Sequence, residues 1–95
     1  MLRVVAKGKL KSDVQKEEYI KIARELVTET NKEEGCISYV LHEDINDPTI
    51  VTMIEEWVDE EALDLHNRSE HVRTIVPELR KLRESTEINL YREIK

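Results

Sequence analysis

The chain has 95 residues, 39% of them hydrophobic and none of them Phe, which predicts one domain over residues 1–95 with an aliphatic core. Fifteen basic against 21 acidic residues give a net charge of −6, and without a clustered basic surface we expect no nucleic-acid partner. The single cysteine excludes an intrachain disulfide. No signal-peptide pattern or membrane-length apolar run occurs, so we expect a cytoplasmic protein.

The chain begins with a predicted strand followed by a long helix. Apolar residues alternate over Leu2–Leu10, which is typical of a half-buried strand. Ser12 and Gln15 have the spacing of a reciprocal capping box. The apolar residues that follow recur every three or four positions and predict an amphipathic helix over about residues 13–33. Gly35 is expected to end this helix by adopting a positive φ.

A hairpin is predicted next. Residues 36–45 and 49–58 both alternate, and between them Asn46-Asp47-Pro48 favours a turn, because Asn and Asp bond to nearby backbone and Pro fixes φ. Alternation over residues 36–45 places Ile37, Tyr39 and Leu41 together on one face of the strand. The two strands are therefore expected to pair antiparallel.

Helical segments and a last strand complete the chain. Asp59 is a good N-cap for a short helix, and Ser69 can cap a second segment whose apolar stripe continues to about Arg83. Pro77 lies inside that stripe and predicts a kink or break, because proline removes one helical hydrogen bond. Residues 86–94 alternate again and predict the fourth strand.

The element order β-α-β-β-α-β predicts an α+β, ferredoxin-like fold, in which a four-stranded antiparallel sheet carries its helices on one face. The other face would also carry apolar residues, including Val5 and Tyr91. An open apolar sheet face of that size favours burial against a second copy. We therefore predict a homodimer that packs through its sheets.

Reactive side chains are concentrated between residues 54 and 71. His66 lies on the apolar side of its helix and is the first catalytic candidate, with a hydrogen-bonded core histidine as the plain alternative. His71 follows a helix cap, where the dipole favours neutral imidazole, and is the second candidate; a surface histidine is its alternative. A metal site built from these two and Glu55 is not favoured, since their spacing is not that of a helical metal pair. We predict no metal.

Four further residues are candidates for contact with a substrate. Trp57 can supply a flat apolar wall, although a lone Trp is more often a core anchor. Glu55 alternates inward beside apolar neighbours and would need a partner there, for which an ion pair is the expected arrangement. Tyr39 offers a phenol on the neighbouring strand, with core packing as its alternative, and Met53 shares a strand face with Glu55.

The segments EEGCISYVLHED and IVTMIEEWVDEEALDLHNRSEHVRTI resemble the antibiotic biosynthesis monooxygenase family. The residues that carry this resemblance are Glu34, Gly35, Cys36, Tyr39, Glu55, Trp57, Asp59, His66 and His71. The resemblance implies a dimeric ferredoxin-like protein with a pocket between sheet and helices. It is greatest to bacterial quinol monooxygenases, which oxygenate reduced quinones or polyphenols with O₂ and need no cofactor.

Other branches of that family differ at the positions that matter for their reactions. The residues that the haem-degrading branch needs are replaced in this chain by Gly8, His66 and Val76. Two of the residues that the polyketide-tailoring branch needs are replaced by Met53 and Leu63. Two alternatives stay open beside a cofactor-independent monooxygenase. One is an isomerase of a small phosphorylated signalling-sugar derivative, and the other is a non-catalytic dimer that binds a small molecule.

Overall fold

A computed structural model describes residues 1–95 and contains four strands and three α-helices. In chain order these are β1 (Leu2–Leu10), α1 (Lys16–Thr30), β2 (Cys36–Glu43), β3 (Ile50–Trp57), α2 (Glu60–Asn67), α3 (Glu70–Lys81) and β4 (Arg83–Arg92). The strands form one antiparallel sheet in the order β2-β3-β1-β4. This confirms the predicted α+β ferredoxin-like fold. None of the helices is long and apolar enough to cross a membrane.

Strand register brings the inward-facing residues of the sheet into rows. On β1 and β3, Leu2 lies opposite Trp57, Val4 opposite Glu55 and Ala6 opposite Met53. All of these except Ala6 are buried. Because alternate residues of a strand share a face, these rows form the floor on which the helices pack. Each aliphatic side chain buried there stabilises the fold by roughly 1.5–3 kcal/mol.

A register shift in β2 changes the face predicted for that strand. The shift lies between Cys36 and Ser38, and it leaves Ile37 without a partner on β3. Ile37 is consequently 50% exposed, whereas Tyr39 is 5% exposed beneath the helices. The predicted grouping of both residues on one face was wrong, because a bulge adds one residue and rotates the next side chain to the opposite side.

The entry and exit of α1 also differ from the prediction. The Ser12 hydroxyl accepts from the Val14 N–H and caps a short 3₁₀ turn, while Gln15 makes no capping bond, so the reciprocal box does not form. The helix ends at Thr30, before the predicted residue 33. Gly35 has no positive φ. A Cβ there would lie 2.3 Å from the Ala62 Cβ, so this glycine is required for close approach of α2 instead.

The caps of α2 and α3 were predicted correctly. The Asp59 carboxylate accepts from the Ala62 N–H at 2.8 Å, and the Ser69 hydroxyl accepts from the N–H of Val72. The break expected at Pro77 does not occur, because α3 continues through it to Lys81. The backbone hydrogen bond that the proline removes is offset by the burial of side chains on either side of it. The last strand, β4, begins at Arg83, three residues earlier than predicted.

Candidate active site

The carboxylate of Glu33 is hydrogen-bonded to two histidines. The Nδ1 of His66 lies 2.7 Å from Glu33 Oε2, and the Nε2 of His71 lies 2.8 Å from the same oxygen. An ionised carboxylate only accepts hydrogen bonds, so both ring nitrogens are the donors. His66 is therefore the Nδ1–H tautomer, and its Nε2 carries a free lone pair.

One turn and two helices meet to form this contact. Glu33 lies in the turn after α1, where its N–H donates to the carbonyl of Thr30 and its carbonyl accepts from the N–H of Cys36. Both bonds hold the backbone of the turn in place. His66 comes from the last turn of α2 and His71 from the first turn of α3. The carboxylate thus connects the α1–β2 turn to both of the other helices.

The His66 ring is enclosed by aromatic groups. Its centroid lies 4.6 Å from the Trp57 ring and 5.3 Å from the Tyr39 ring, and the residue is 4% exposed. Burial lowers the pKa of His66, and the hydrogen bond and charge of Glu33 oppose that shift. The imidazole is therefore neutral at pH 7. Its Nε2 bonds to no protein atom, and the ring lines a cavity.

Glu55 is a second buried carboxylate with a different environment. It is 5% exposed, and its Oε1 accepts a 2.9 Å hydrogen bond from the Trp57 indole N–H. No cation pairs with it, so the expected ion pair was wrong; the indole of a neighbour on the same strand is its partner instead. Desolvation raises the pKa of Glu55 to about 7, since an indole bond compensates only part of the lost hydration. This carboxyl group can therefore gain or lose a proton at neutral pH.

A cavity of about 670 Å³ lies between the sheet and the helices. This volume is in the range of small-molecule sites. Most of the lining residues are apolar, and the charged ones are Glu55, Arg80 and Arg83. The cavity is open beside β4, where Ile88 and Leu90 line it and are more than half exposed. An apolar ligand of the size of one or two rings can be accommodated next to His66 and Glu55.

The structure divides the six residues predicted from the sequence into two groups. Tyr39, Met53, Glu55 and His66 line the cavity. Trp57 and His71 do not line it: Trp57 is fully buried beside the His66 ring, and His71 lies on the far side of the Glu33 carboxylate.

Two polar residues of the site were not predicted. Glu33 entered the prediction only as the approximate end of the first helix, and Arg83 only as the approximate end of an apolar helical stripe. The run Glu33-Glu34-Gly35-Cys36, directly before a strand, is the signal that could have indicated Glu33, because a carboxylate in a tight turn is held in one place.

The three residues of the histidine cluster can also act as metal ligands. The ligand atoms of Glu33, His66 and His71 all lie within 4.8 Å of one another. Two imidazoles and a carboxylate are a donor set that suits Zn²⁺ and other divalent transition ions. A neutral imidazole that binds an ion through Nδ1 keeps its proton on Nε2. Occupation of this site would therefore remove the free lone pair that His66 presents to the cavity.

Comparison with known proteins agrees with the fold. The sequence profile of the antibiotic biosynthesis monooxygenase family matches residues 1–78. "Putative monooxygenase YcnE" of Bacillus subtilis is 32% identical over 68 residues, which are 72% of this chain and 72% of that protein. A conserved protein from Methanosarcina mazei is 42% identical with a TM-score of 0.94, covering 98% of this chain and 92% of its own. The crystal structure of an antibiotic biosynthesis monooxygenase is 32% identical, with a TM-score of 0.93 over 100% of both chains.

Proposed function

Because the chain belongs to the antibiotic biosynthesis monooxygenase family, we propose that it is a cofactor-independent monooxygenase that oxidises a small quinol or polyphenol with O₂. The observation that supports this most directly is the environment of His66. Its Nδ1 is fixed on Glu33, while its Nε2 bonds to no protein atom and its ring lines a mostly apolar cavity. That arrangement provides a base where an aromatic hydroxyl can bind.

Proton abstraction is the first step. His66 Nε2 takes a proton from one hydroxyl group of the quinol, and the ring becomes an imidazolium. The Glu33 carboxylate, 2.7 Å from Nδ1, stabilises the positive charge as it forms. A neutral imidazole with a carboxylate behind it is ready for this role at pH 7, because burial holds the pKa of His66 below its usual value.

Oxygen then reacts with the deprotonated substrate. The electron-rich quinolate passes one electron to O₂, and the resulting radical pair combines at a ring carbon to give a hydroperoxide. Loss of water from the hydroperoxide leaves a hydroxyquinone. Overall, one quinol and one O₂ give one hydroxyquinone and one water, so both the electrons and the atoms balance with the substrate as the only reductant. The apolar cavity favours this sequence because it limits the access of water to the radical pair.

Glu55 can supply the proton that the departing water requires. It lines the same cavity as His66, and its pKa of about 7 makes the protonated form abundant at neutral pH. The Trp57 indole holds one carboxyl oxygen and leaves the other free for the substrate. His71 and Trp57 act in this proposal as positioning residues, since neither lines the cavity.

We further propose that the functional form is a homodimer that packs through the sheet face opposite the helices. Val40 and Tyr91 on that face are 47% and 51% exposed, and Val5 and Ile54 between them are half-buried. Burial of such a patch against its symmetric copy would remove its apolar surface from water. Light scattering after gel filtration tests this. Ile54→Lys should convert a dimer to a monomer, and a monomeric native protein contradicts the proposal.

Oxygen uptake with reduced quinones tests the activity. Chelator-treated native protein should consume one O₂ per quinol, and ¹⁸O₂ should place one labelled atom in the product. His66→Gln should lower kcat by about 10²- to 10⁴-fold, because it removes the base. His42→Gln is the matched control, since His42 is exposed and lies outside the cavity. Turnover without oxygen uptake would indicate an isomerase instead, and equal kcat values for His66→Gln and the control would exclude His66 as the base.

A further inference from the structure

The strongest unused feature of the cavity is the guanidinium of Arg83, whose Nε has no hydrogen-bond partner. Arg83 lines the cavity and is half-buried, and its Nε is buried without any hydrogen-bond partner. It takes part in no ion pair. A buried donor without a partner is rare in native proteins, and on a charged group it is costly, so this N–H needs an acceptor that the protein itself does not supply.

The Arg83 side chain is directed along the cavity by the absence of a side chain at Gly8. A Cβ at Gly8 would lie 2.9 Å from Arg83 Cδ, so the aliphatic part of the arginine crosses the place that any other residue would fill. Gly8 pairs with Thr86 on β4, and Thr86 also lines the cavity. The guanidinium is therefore brought back from the end of β4 toward the interior.

No neighbour of Arg83 neutralises its charge. Tyr19 lines the same cavity, and burial raises the pKa of its phenol; the charge and a hydrogen bond of Arg83 oppose that rise, and the phenol stays neutral. The only carboxylate that lines the cavity is Glu55. It lies in the row of Val4, four residues along β1 from Gly8, which corresponds to about 13 Å at the rise of an antiparallel strand.

The cavity consequently has polar groups at both ends and an apolar middle. His66 and Glu55 line the part where the reaction is proposed, and Arg83 enters beside Gly8, with Tyr19 as its neighbour. A guanidinium binds carboxylate and phosphate oxygens through a planar fork of N–H donors. The separation of about 13 Å suits an aromatic ring that carries its anionic group on a short chain.

We propose that Arg83 is a specificity residue that binds an anionic substituent of the substrate, so that the substrate is a quinol ring bearing a carboxylate or similar oxyanion on an arm of two or three carbon atoms. This inference rests on the proposed function for the identity of the ring. The anion subsite itself follows from the cavity-lining guanidinium, which has no carboxylate partner and whose Nε has no hydrogen-bond acceptor. Tyr19 donates a second hydrogen bond to the same group.

Binding of a matched pair of probes tests the subsite without any turnover. The pair is 3-(4-hydroxyphenyl)propionate and its uncharged amide, measured by isothermal titration calorimetry; a simple phenol is not a quinol and stays intact. Native protein should prefer the carboxylate by about tenfold or more, because an ionic hydrogen bond is worth more than a neutral one. Arg83→Gln should abolish this preference and leave the affinity for the amide within about twofold, since the glutamine NH₂ can still donate a neutral hydrogen bond to the amide carbonyl.

Two further variants make the result specific. Arg83→Lys keeps the charge and should keep part of the preference, provided that thermal unfolding shows it to be folded. Arg73→Gln removes an exposed arginine of α3 that does not line the cavity, and the preference should be unchanged. Equal affinity of native protein for both probes, or equal weakening of both by Arg83→Gln, overturns the proposal. Probe preference in a protein that takes up no oxygen with any quinol would support the subsite and contradict the monooxygenase.

Discussion

Glu55→Gln should make the protein more stable, and the gain should grow as the pH rises. Glu55 is 5% exposed, has no cationic partner and has its pKa raised to about 7 from the usual 4.5. Between those two values the folded protein binds the proton more tightly than the unfolded chain does. Stability therefore falls as the pH rises through this window. A glutamine has no charge to lose, and its amide oxygen can still accept from the Trp57 indole.

The size of the effect follows from the shift. A raised pKa of about 7 against 4.5 corresponds to about 3 kcal/mol of lost stability at pH 8, where the carboxylate is ionised in both states. At pH 5 the unfolded chain is only partly ionised, and the loss is about 1 kcal/mol. The free energy of unfolding of Glu55→Gln, relative to the native protein, should thus increase by about 2 kcal/mol between pH 5 and pH 8.

Urea unfolding of both proteins at several pH values, followed by circular dichroism, measures this difference. Glu56→Gln is the matched control, because Glu56 is the next residue of the strand, faces the other side and pairs with Arg3 on the surface. The free energy of unfolding of Glu56→Gln should stay within about 1 kcal/mol of the native value, and this difference should vary little with pH. A pH-independent difference for Glu55→Gln, or destabilisation at pH 8, would refute the reasoning that links burial to proton uptake.

Three other changes have defined outcomes. Glu33→Gln should lower kcat at least about tenfold in the oxygen-uptake assay with little change in KM, because it removes the charge that stabilises the His66 imidazolium; an unchanged kcat contradicts this role. Chelators should leave turnover unaffected, whereas added Zn²⁺ should inhibit it by occupying His66 Nδ1, and Glu33→Gln should weaken that inhibition; activation by Zn²⁺ contradicts it. Gly35→Ala should cost about 1–3 kcal/mol in urea unfolding, since its Cβ would lie 2.3 Å from that of Ala62, and a stability equal to native contradicts the contact.

The existence and order of the helices and strands were predictable because apolar residues recur along each of them at a regular spacing. Alternation marked the strands, and the spacing of apolar residues together with Asp59 and Ser69 marked the last two helices. The errors concern features that have no local period. The bulge at Ile37 depends on pairing with β3, and the tolerance of Pro77 depends on how α3 packs. Neither is visible in a window of a few residues.

The site was predictable only where residues are close in sequence. Glu55, Trp57 and His66 were identified from one segment, and the structure places them around one indole. Glu33 lies 33 residues before His66, and a charged residue at a helix end normally indicates a solvated surface. Its function in the site depends on where α1 stops. Arg83 was missed for the same reason, since its direction is set by Gly8 on a neighbouring strand.

The two carboxylates near His66 have different proposed roles because their neighbours differ. Glu33 accepts two N–H bonds from imidazoles and is 19% exposed, so its charge is compensated by hydrogen bonds and by access to water. Glu55 has one indole donor and almost no water, and its pKa is raised accordingly. Where two acids are held in such different environments, one serves as a fixed charge and the other as a source of protons. His66 lies on Glu33 and lines the same cavity as Glu55. In the proposed reaction it can therefore remove a proton from the substrate while Glu55 returns one to the departing oxygen at neutral pH.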